Sequence, residues 1–182
     1  VGKRPEYRAV TEQLSSLLVE RDIELVYGGG NIGLMGVLAD AVLRLGGRVT
    51  GVIPDSLMAR EVGHASLTEL RIVNSMHERK AVMSDLSDGF IALPGGFGTL
   101  EEFCEVVTWS QLGLQSKPCG LLNVKNYYAP LLELFDHAVR EGFLSATNRR
   151  LVLEDADPES LLEKMEAFRS EPATKWIGKE ER

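Results

Sequence analysis

The sequence predicts a doubly wound α/β fold: a parallel sheet with helices on both faces. Three observations carry this. Short apolar strands alternate with amphipathic helices along almost the whole chain, the strands leave no wet face, and two of them run straight into glycine-rich turns that open helices. Strands buried on both faces belong to parallel sheets, where each neighbour is reached through a crossover, usually a helix. At 182 residues the chain fits one domain with a core that needs neither disulfides nor metals.

The elements follow in order. Pro5 stands in the first turn of a helix whose apolar residues Tyr7, Val10, Leu14, Leu17 and Leu18 recur at helical spacing. Residues 24–27 read as a short strand, broken by Gly28, Gly29 and Gly30. From Asn31 the run NIGLMGVLADAVLRL is helical in pattern and stops at Gly46 and Gly47, a C-cap signal. Residues 48–53 are the next strand, and residues 54–68, with no clear period, are the longest loop.

Residues 70–73 read as strand, after which Ser75 and Glu78 form a capping box for the helix carrying HERKAVMSDL. Residues 90–93 are an apolar strand, PGGFGTLEE is the turn, and residues 99–112 are helix. Strands at 120–124 and 151–153 and helices at 127–139 and 158–168 complete the alternation. No linker or repeat interrupts it, so residues 1–182 read as a single domain. The polar tail at 170–182 carries Trp176 and Ile177, which suggests packing, for instance on a second subunit.

The net charge of −7, with no concentrated basic face, argues against a nucleic-acid partner. No signal peptide and no apolar run of about 18 residues is present, so no membrane role is expected. Cys104 and Cys119 sit in no CxxC pair and at no ligand spacing. Both read as reduced core residues of a cytoplasmic protein, and no metal site is expected.

Three constellations have chemical content. In YGGGNIGLMG, Gly28, Gly29, Gly30 and Asn31 lie between a strand and a helix, the place where backbone amides and the helix dipole hold a phosphate. The run lacks the Lys-Ser/Thr of a P-loop and departs from GxGxxG, so a tight turn with Gly33 and Gly36 allowing close packing is the alternative. PGGFGTLEE repeats the arrangement with Thr99 able to bind an anion, and then places Glu101 and Glu102 beside it. Two adjacent helical residues point about 100° apart, so these carboxylates have different jobs. In MHERK, His77 reads as structural or exposed, whereas Arg79 and Lys80 put positive charge in a first turn, against the dipole. Charge so placed implies a carboxylate or phosphate partner, the alternative being a solvated basic pair.

With GGGNIGLMG, MHERK and PGGFGTLEE in that order, the chain resembles the LONELY GUY (LOG) family of cytokinin riboside 5′-monophosphate phosphoribohydrolases, some of which were labelled possible lysine decarboxylases. The resemblance runs over about residues 4–153. It implies a Rossmann-like fold, a homodimer, no cofactor, and hydrolysis of the N-glycosidic bond of AMP or an N6-modified AMP to free base and ribose 5-phosphate. Arg79 and Glu102 match the family's catalytic pair. Substrate-binding positions fall on Glu61, Arg79, Lys80, Gly96, Phe97, Gly98, Thr99, Leu100, Glu101, Glu102 and Thr108, with Glu61 aligned only through its Arg-Glu step.

One departure concerns the start. The family pattern opens with a strand ending in a Cys-Gly-Ser-Ser-like turn, and this sequence starts after it. True absence would remove a central strand and put activity in doubt, whereas a strand lying upstream would change nothing. On fold alone a nucleotide- or molybdenum-cofactor-binding carrier is the competing reading. The decarboxylase reading requires pyridoxal phosphate on a lysine, and the motif lysine, Lys80, suits phosphate or a salt bridge better.

On this reading the glycine turn and its carboxylates divide the substrate. The amides of Gly96 to Thr99, with the Thr99 hydroxyl, hold the 5′-phosphate. Glu102 faces the ribose, stabilises charge developing at C1′ and activates water, while Glu101 binds ribose hydroxyls or orders the turn. Arg79, a poor general acid, either donates hydrogen bonds to the leaving base or fixes Glu102.

Overall fold

The structure, a computed structural model, describes residues 1–58 and 67–169. In chain order its elements are α1 (Pro5–Glu20), β1 (Leu25–Tyr27), α2 (Gly33–Arg44), β2 (Val49–Pro54), α3 (Asp55–Met58), β3 (Glu69–Val73), α4 (Met76–Leu86), β4 (Phe90–Ala92), α5 (Phe97–Gln111), β5 (Cys119–Leu122), α6 (Ala129–Arg140), α7 (Ala146–Arg149), β6 (Val152–Asp155) and α8 (Pro158–Ala167). The α/β class and the alternation are as the sequence predicts. Among the described residues the strands form two three-stranded parallel sheets, ordered β1-β2-β3 and β4-β5-β6, where one sheet was expected. The chain divides correspondingly into two compact units, Val1–Asp88 with Ala156–Glu159, and Gly89–Asp155 with the described chain from Ser160.

In the first unit β2 is buried at every position, because it is flanked by strands on both sides and covered by helices. Val49, Val52 and Ile53 from β2, Leu14 and Leu18 from α1, and Leu34, Leu38 and Val42 from α2 are all buried. Thr11 and Ser15 in α1 are buried polar residues whose hydroxyls donate to the carbonyls of Tyr7 and Thr11, one turn back, so no donor is stranded. Glu24 closes the edge of this sheet: the Thr50 hydroxyl donates to it at 2.6 Å and Arg48 pairs with it at 3.3 Å. The Thr50 bond, with lesser help from Arg48, holds its carboxyl below the ordinary 4.5.

In the second unit Ala92, Phe103, Cys119, Leu121, Tyr128, Leu132 and Val152 form one buried cluster. Gly120 in β5 receives α8 closely, since a β-carbon there would meet Leu161 at 3.0 Å and the Met165 sulfur at 3.1 Å. Cys119 is buried and its thiol is pushed up by burial, as expected of a core thiol, whereas Cys104 is exposed. Its exposure follows from helical phase. Phe103 faces the core, and the next residue is turned about 100° away.

Local differences from the sequence reading have simple causes. The loop expected at 54–68 begins with the last residue of β2 and the one-turn helix α3, which Asp55 starts with the favoured charge for a first turn. The remaining short helix, α7, lies in a stretch of only four residues with too little length to show a period. Its N-cap, Ser145, accepts from the Asn148 N–H. Trp176 and Ile177 lie outside the described residues.

Candidate functional site

In a parallel sheet every strand ends on the same side, so the segments that leave the carboxyl ends gather at one rim. In the first unit, taken by itself, the turn after β1 and the start of α4 leave the carboxyl ends of its sheet. Ser75 is the N-cap of α4 and its Oγ accepts from the Glu78 N–H at 3.1 Å. Glu78 completes the box one residue further back than the sequence implied, accepting from the Asn74 N–H at 2.7 Å and from its side-chain amide at 3.0 Å. With the helix start so fixed, residues 79 and 80 diverge by one helical step. Arg79 is 6% exposed and Lys80 half-buried, while His77 is exposed, as anticipated.

Gly28 explains how a guanidinium is buried at that point. A β-carbon on Gly28 would lie 2.8 Å from Arg79 Cζ and closer still to Nη2, so the guanidinium occupies the space a side chain would take. Arg79 Nη1 also meets the Met76 sulfur at 3.7 Å. Gly29 and Gly36 are filled by protein as well, whereas Gly33, at φ +68°, has nothing within 4 Å. Gly29, at φ +75°, sits against Ile53 and the backbone of Val52, and Gly36 lies over Asn31, whose Oδ1 and carbonyl would stand 2.7 and 2.8 Å from a β-carbon. Gly28, Gly29 and Gly30 are buried and Asn31 is exposed. Gly36 is packed as the close-packing alternative has it, whereas Gly33 is not.

In the second unit, described by itself, the turn after β4 leaves the carboxyl end of that unit's sheet. Gly96 is the N-cap of α5 and offers no side-chain cap, so the N–H groups of Gly96, Phe97, Gly98 and Thr99 are the four that an α-helix leaves without an intrahelical acceptor. A β-carbon on Gly96 or Gly98 would meet nothing within 4 Å, and Phe97 is 92% exposed. Gly95, by contrast, is packed: a β-carbon there would lie 2.7 Å from Thr99 Cβ, which sets the Thr99 side chain against the turn. The structure therefore brings Gly96, Phe97, Gly98 and Thr99 together around open amides, with a favourable dipole behind them.

Further along α5 the side chains separate by phase. Glu101 is exposed, Glu102 half-buried and Phe103 in the core, so the two carboxylates are on different faces, as expected. Leu100 packs on the core cluster and anchors the helix start. Thr108 is exposed, and its hydroxyl donates to the Cys104 carbonyl at 2.7 Å, within its own helix. Glu61 lies outside the described residues.

Sequence reasoning missed the residues that hold this turn from behind. β4 and β5 are parallel neighbours with Ala92 opposite Leu121, so the chain leaving β5 emerges beside the glycine turn. It delivers Tyr127, whose hydroxyl donates to the Gly95 carbonyl at 2.6 Å, and Tyr128, whose hydroxyl donates to the Leu93 carbonyl at 2.5 Å. The two rings meet edge to face at 5.0 Å. Asn123 accepts from the Tyr128 N–H at 2.8 Å and donates to Glu154 at 3.3 Å. The available signal was the Asn-Val-Lys-Asn stretch before the tyrosines, a turn-former followed by paired phenols, which periodicity alone assigned to strand and helix.

A family model described as possible lysine decarboxylase matches residues 35–165. A probable cytokinin riboside 5′-monophosphate phosphoribohydrolase of Oryza sativa subsp. japonica is 52% identical over 180 residues, 96% of this chain and 81% of its own length. A cytokinin riboside 5′-monophosphate phosphoribohydrolase of Arabidopsis thaliana is 49% identical over 93% of this chain and 78% of its own. Among solved structures, the molybdenum cofactor binding protein of Rippkaea orientalis superposes with a TM-score of 0.67 at 21% identity, covering 90% of this chain and 88% of that one. The molybdenum cofactor carrier protein of Chlamydomonas reinhardtii gives 0.66 at 18% identity, with 91% of each chain covered. At such identities the likeness concerns the fold.

Proposed function

The chain belongs to the LONELY GUY family, described as possible lysine decarboxylases, and from that premise we propose that it is an N-glycosyl hydrolase, releasing free base and ribose 5-phosphate from cytokinin riboside 5′-monophosphates, AMP or both. The observation that carries this reading is identity near one half, across more than nine-tenths of the chain, to relatives named for that activity. The carrier reading rests on structures at 18–21% identity, which speak for the fold and not for cargo.

In the reaction the four open amides at the start of α5 bind the 5′-phosphate, with the Thr99 hydroxyl as a further donor. Glu102 stabilises positive charge as the C1′–N bond breaks and takes a proton from the attacking water. Glu101, more exposed and one helical step away, serves the ribose hydroxyls or the turn. Arg79 donates to the leaving base or fixes Glu102, and remains charged throughout. Lys80, Leu100 and Thr108 complete the substrate-binding set together with Glu61, and the enzyme acts as a cytoplasmic homodimer.

The test is chromatographic detection of free base from AMP and N6-modified AMP, with Arg79→Ala and Glu102→Ala as controls. Base release strongly reduced by both changes is the expected result. Nucleotide binding by calorimetry with no base released over hours would transfer the protein to the carrier class. Among the described residues no helix is long and apolar enough to cross a membrane.

A further inference from the structure

Two consecutive glycines, Gly95 and Gly96, precede α5, and a Gly-Gly peptide has more freedom to rotate than any other. That freedom is awkward for a phosphate cradle, because the Gly96 N–H is the first of its four donors and must keep one direction. A trans peptide is planar, with its C=O and N–H pointing in opposite directions. Whatever fixes the Gly95 carbonyl therefore aims the Gly96 N–H.

The Tyr127 hydroxyl fixes that carbonyl, at 2.6 Å. Tyr128 fixes the other end of the turn through Leu93, whose peptide leads into Pro94 and so has no N–H to aim. The two tyrosines differ in setting: Tyr128 is 1% exposed and belongs to the core, whereas Tyr127 is 41% exposed and adds little to it. The backbone that delivers them is strained. Lys125 and Asn126 are successive non-glycine residues at φ +53° and +58°, in the left-handed region that L side chains rarely adopt. Strain of this kind persists where its surroundings over-determine it, and here Asn123 ties the segment to Glu154 in β6 and to the Tyr128 N–H.

We propose that Tyr127 is a positioning residue for the reaction: its hydroxyl, by holding the Gly95 carbonyl, aims the Gly96 N–H at the substrate's 5′-phosphate, while Tyr128 secures the turn to the core. This rests on the reading of the α5 start as the phosphate cradle. It adds a residue to the binding machinery that touches no substrate and lies some 30 positions beyond the glycine motif.

The experiment titrates ribose 5-phosphate into the full chain by calorimetry, and measures AMP kinetics, for the wild type, Tyr127→Phe and Tyr128→Phe. Tyr127→Phe keeps the ring and removes one hydroxyl, so the melting temperature stays within about 2 °C, while affinity for ribose 5-phosphate falls about tenfold and KM for AMP rises to match, with kcat within about twofold. The Gly96 amide signal in the nitrogen–proton spectrum of the free protein shifts as its peptide is released. Tyr128→Phe instead lowers the melting temperature. Unchanged ribose 5-phosphate affinity and an unmoved Gly96 signal in Tyr127→Phe would overturn the role of Tyr127 alone. A wild type that does not bind ribose 5-phosphate would overturn both this role and the cradle beneath it.

Discussion

The two glycine turns of this chain are built from nearly the same letters and used in opposite ways. Each follows a three-residue strand and opens a helix without a side-chain cap. In the turn after β1 the space beside Gly28, Gly29 and Gly36 is filled by the protein itself, by the Arg79 guanidinium, β2 and Asn31 in turn, while Gly33 is left open. In the turn after β4 the space beside Gly96 and Gly98 is left open, while Gly95 alone is packed. Glycine thus serves mainly close packing in one turn and leaves the backbone mostly open in the other. What distinguishes them is what the rest of the fold brings up to the backbone.

The largest effect that tests this contrast is chemical. Glu102→Gln removes the negative charge while keeping the shape, and turnover of AMP falls about 10³-fold with the fold intact by circular dichroism. Near-normal turnover would remove Glu102 from the mechanism and leave the open turn as a binding feature only. Next comes Gly28→Ala, in which the methyl displaces the guanidinium. Turnover falls about 10²-fold, to the level of Arg79→Ala, and the double variant is no worse than Arg79→Ala alone. Additive losses would show that Gly28 acts independently of Arg79.

Stability separates the turns further. Gly36→Ala presses a methyl onto the Asn31 backbone and lowers unfolding free energy by about 1–3 kcal/mol in urea, whereas Gly96→Ala, at φ −94° and with nothing within 4 Å, changes it by less than about 0.5 kcal/mol. Equal losses at both positions would erase the packed-versus-open distinction. The smallest expected effect is away from both turns, at Glu24. Its folded-state carboxyl titrates below the ordinary 4.5, so its contribution to stability is full above that value and is lost as pH falls through the lower folded one. Thr50→Val removes the main cause, and its acid-unfolding curve from pH 5 downward should be shallower than that of the wild type.

Much of this was legible in the sequence. The α/β alternation could be read because buried strands such as β2 and β5 are almost continuously apolar, although β3, against the expectation of no wet face, is exposed at four of its five positions. The capping box at Ser75 could be read because a helix start needs particular atoms at fixed spacing. The divergence of Glu101 from Glu102 follows from helical pitch alone. The identity of the motif residues around α4 and α5 was equally local, since a turn and its first helical residues are adjacent in the chain. Even the unusual positive charge of Arg79 in a first turn was visible, although its reason was not.

Only the tertiary structure decided which glycines are filled and which are free. It also showed that the strands form two three-stranded sheets, that Arg79 is buried against Gly28, and that Tyr127 and Tyr128 grip the carbonyls of Gly95 and Leu93. These are contacts between segments some 30 to 50 residues apart, each within one unit and brought together because the parallel strands of each sheet end on the same side. Local periodicity records which way a side chain points, but not which distant residue it meets there. For that reason both turns could be named from the sequence, while the difference between them had to be seen.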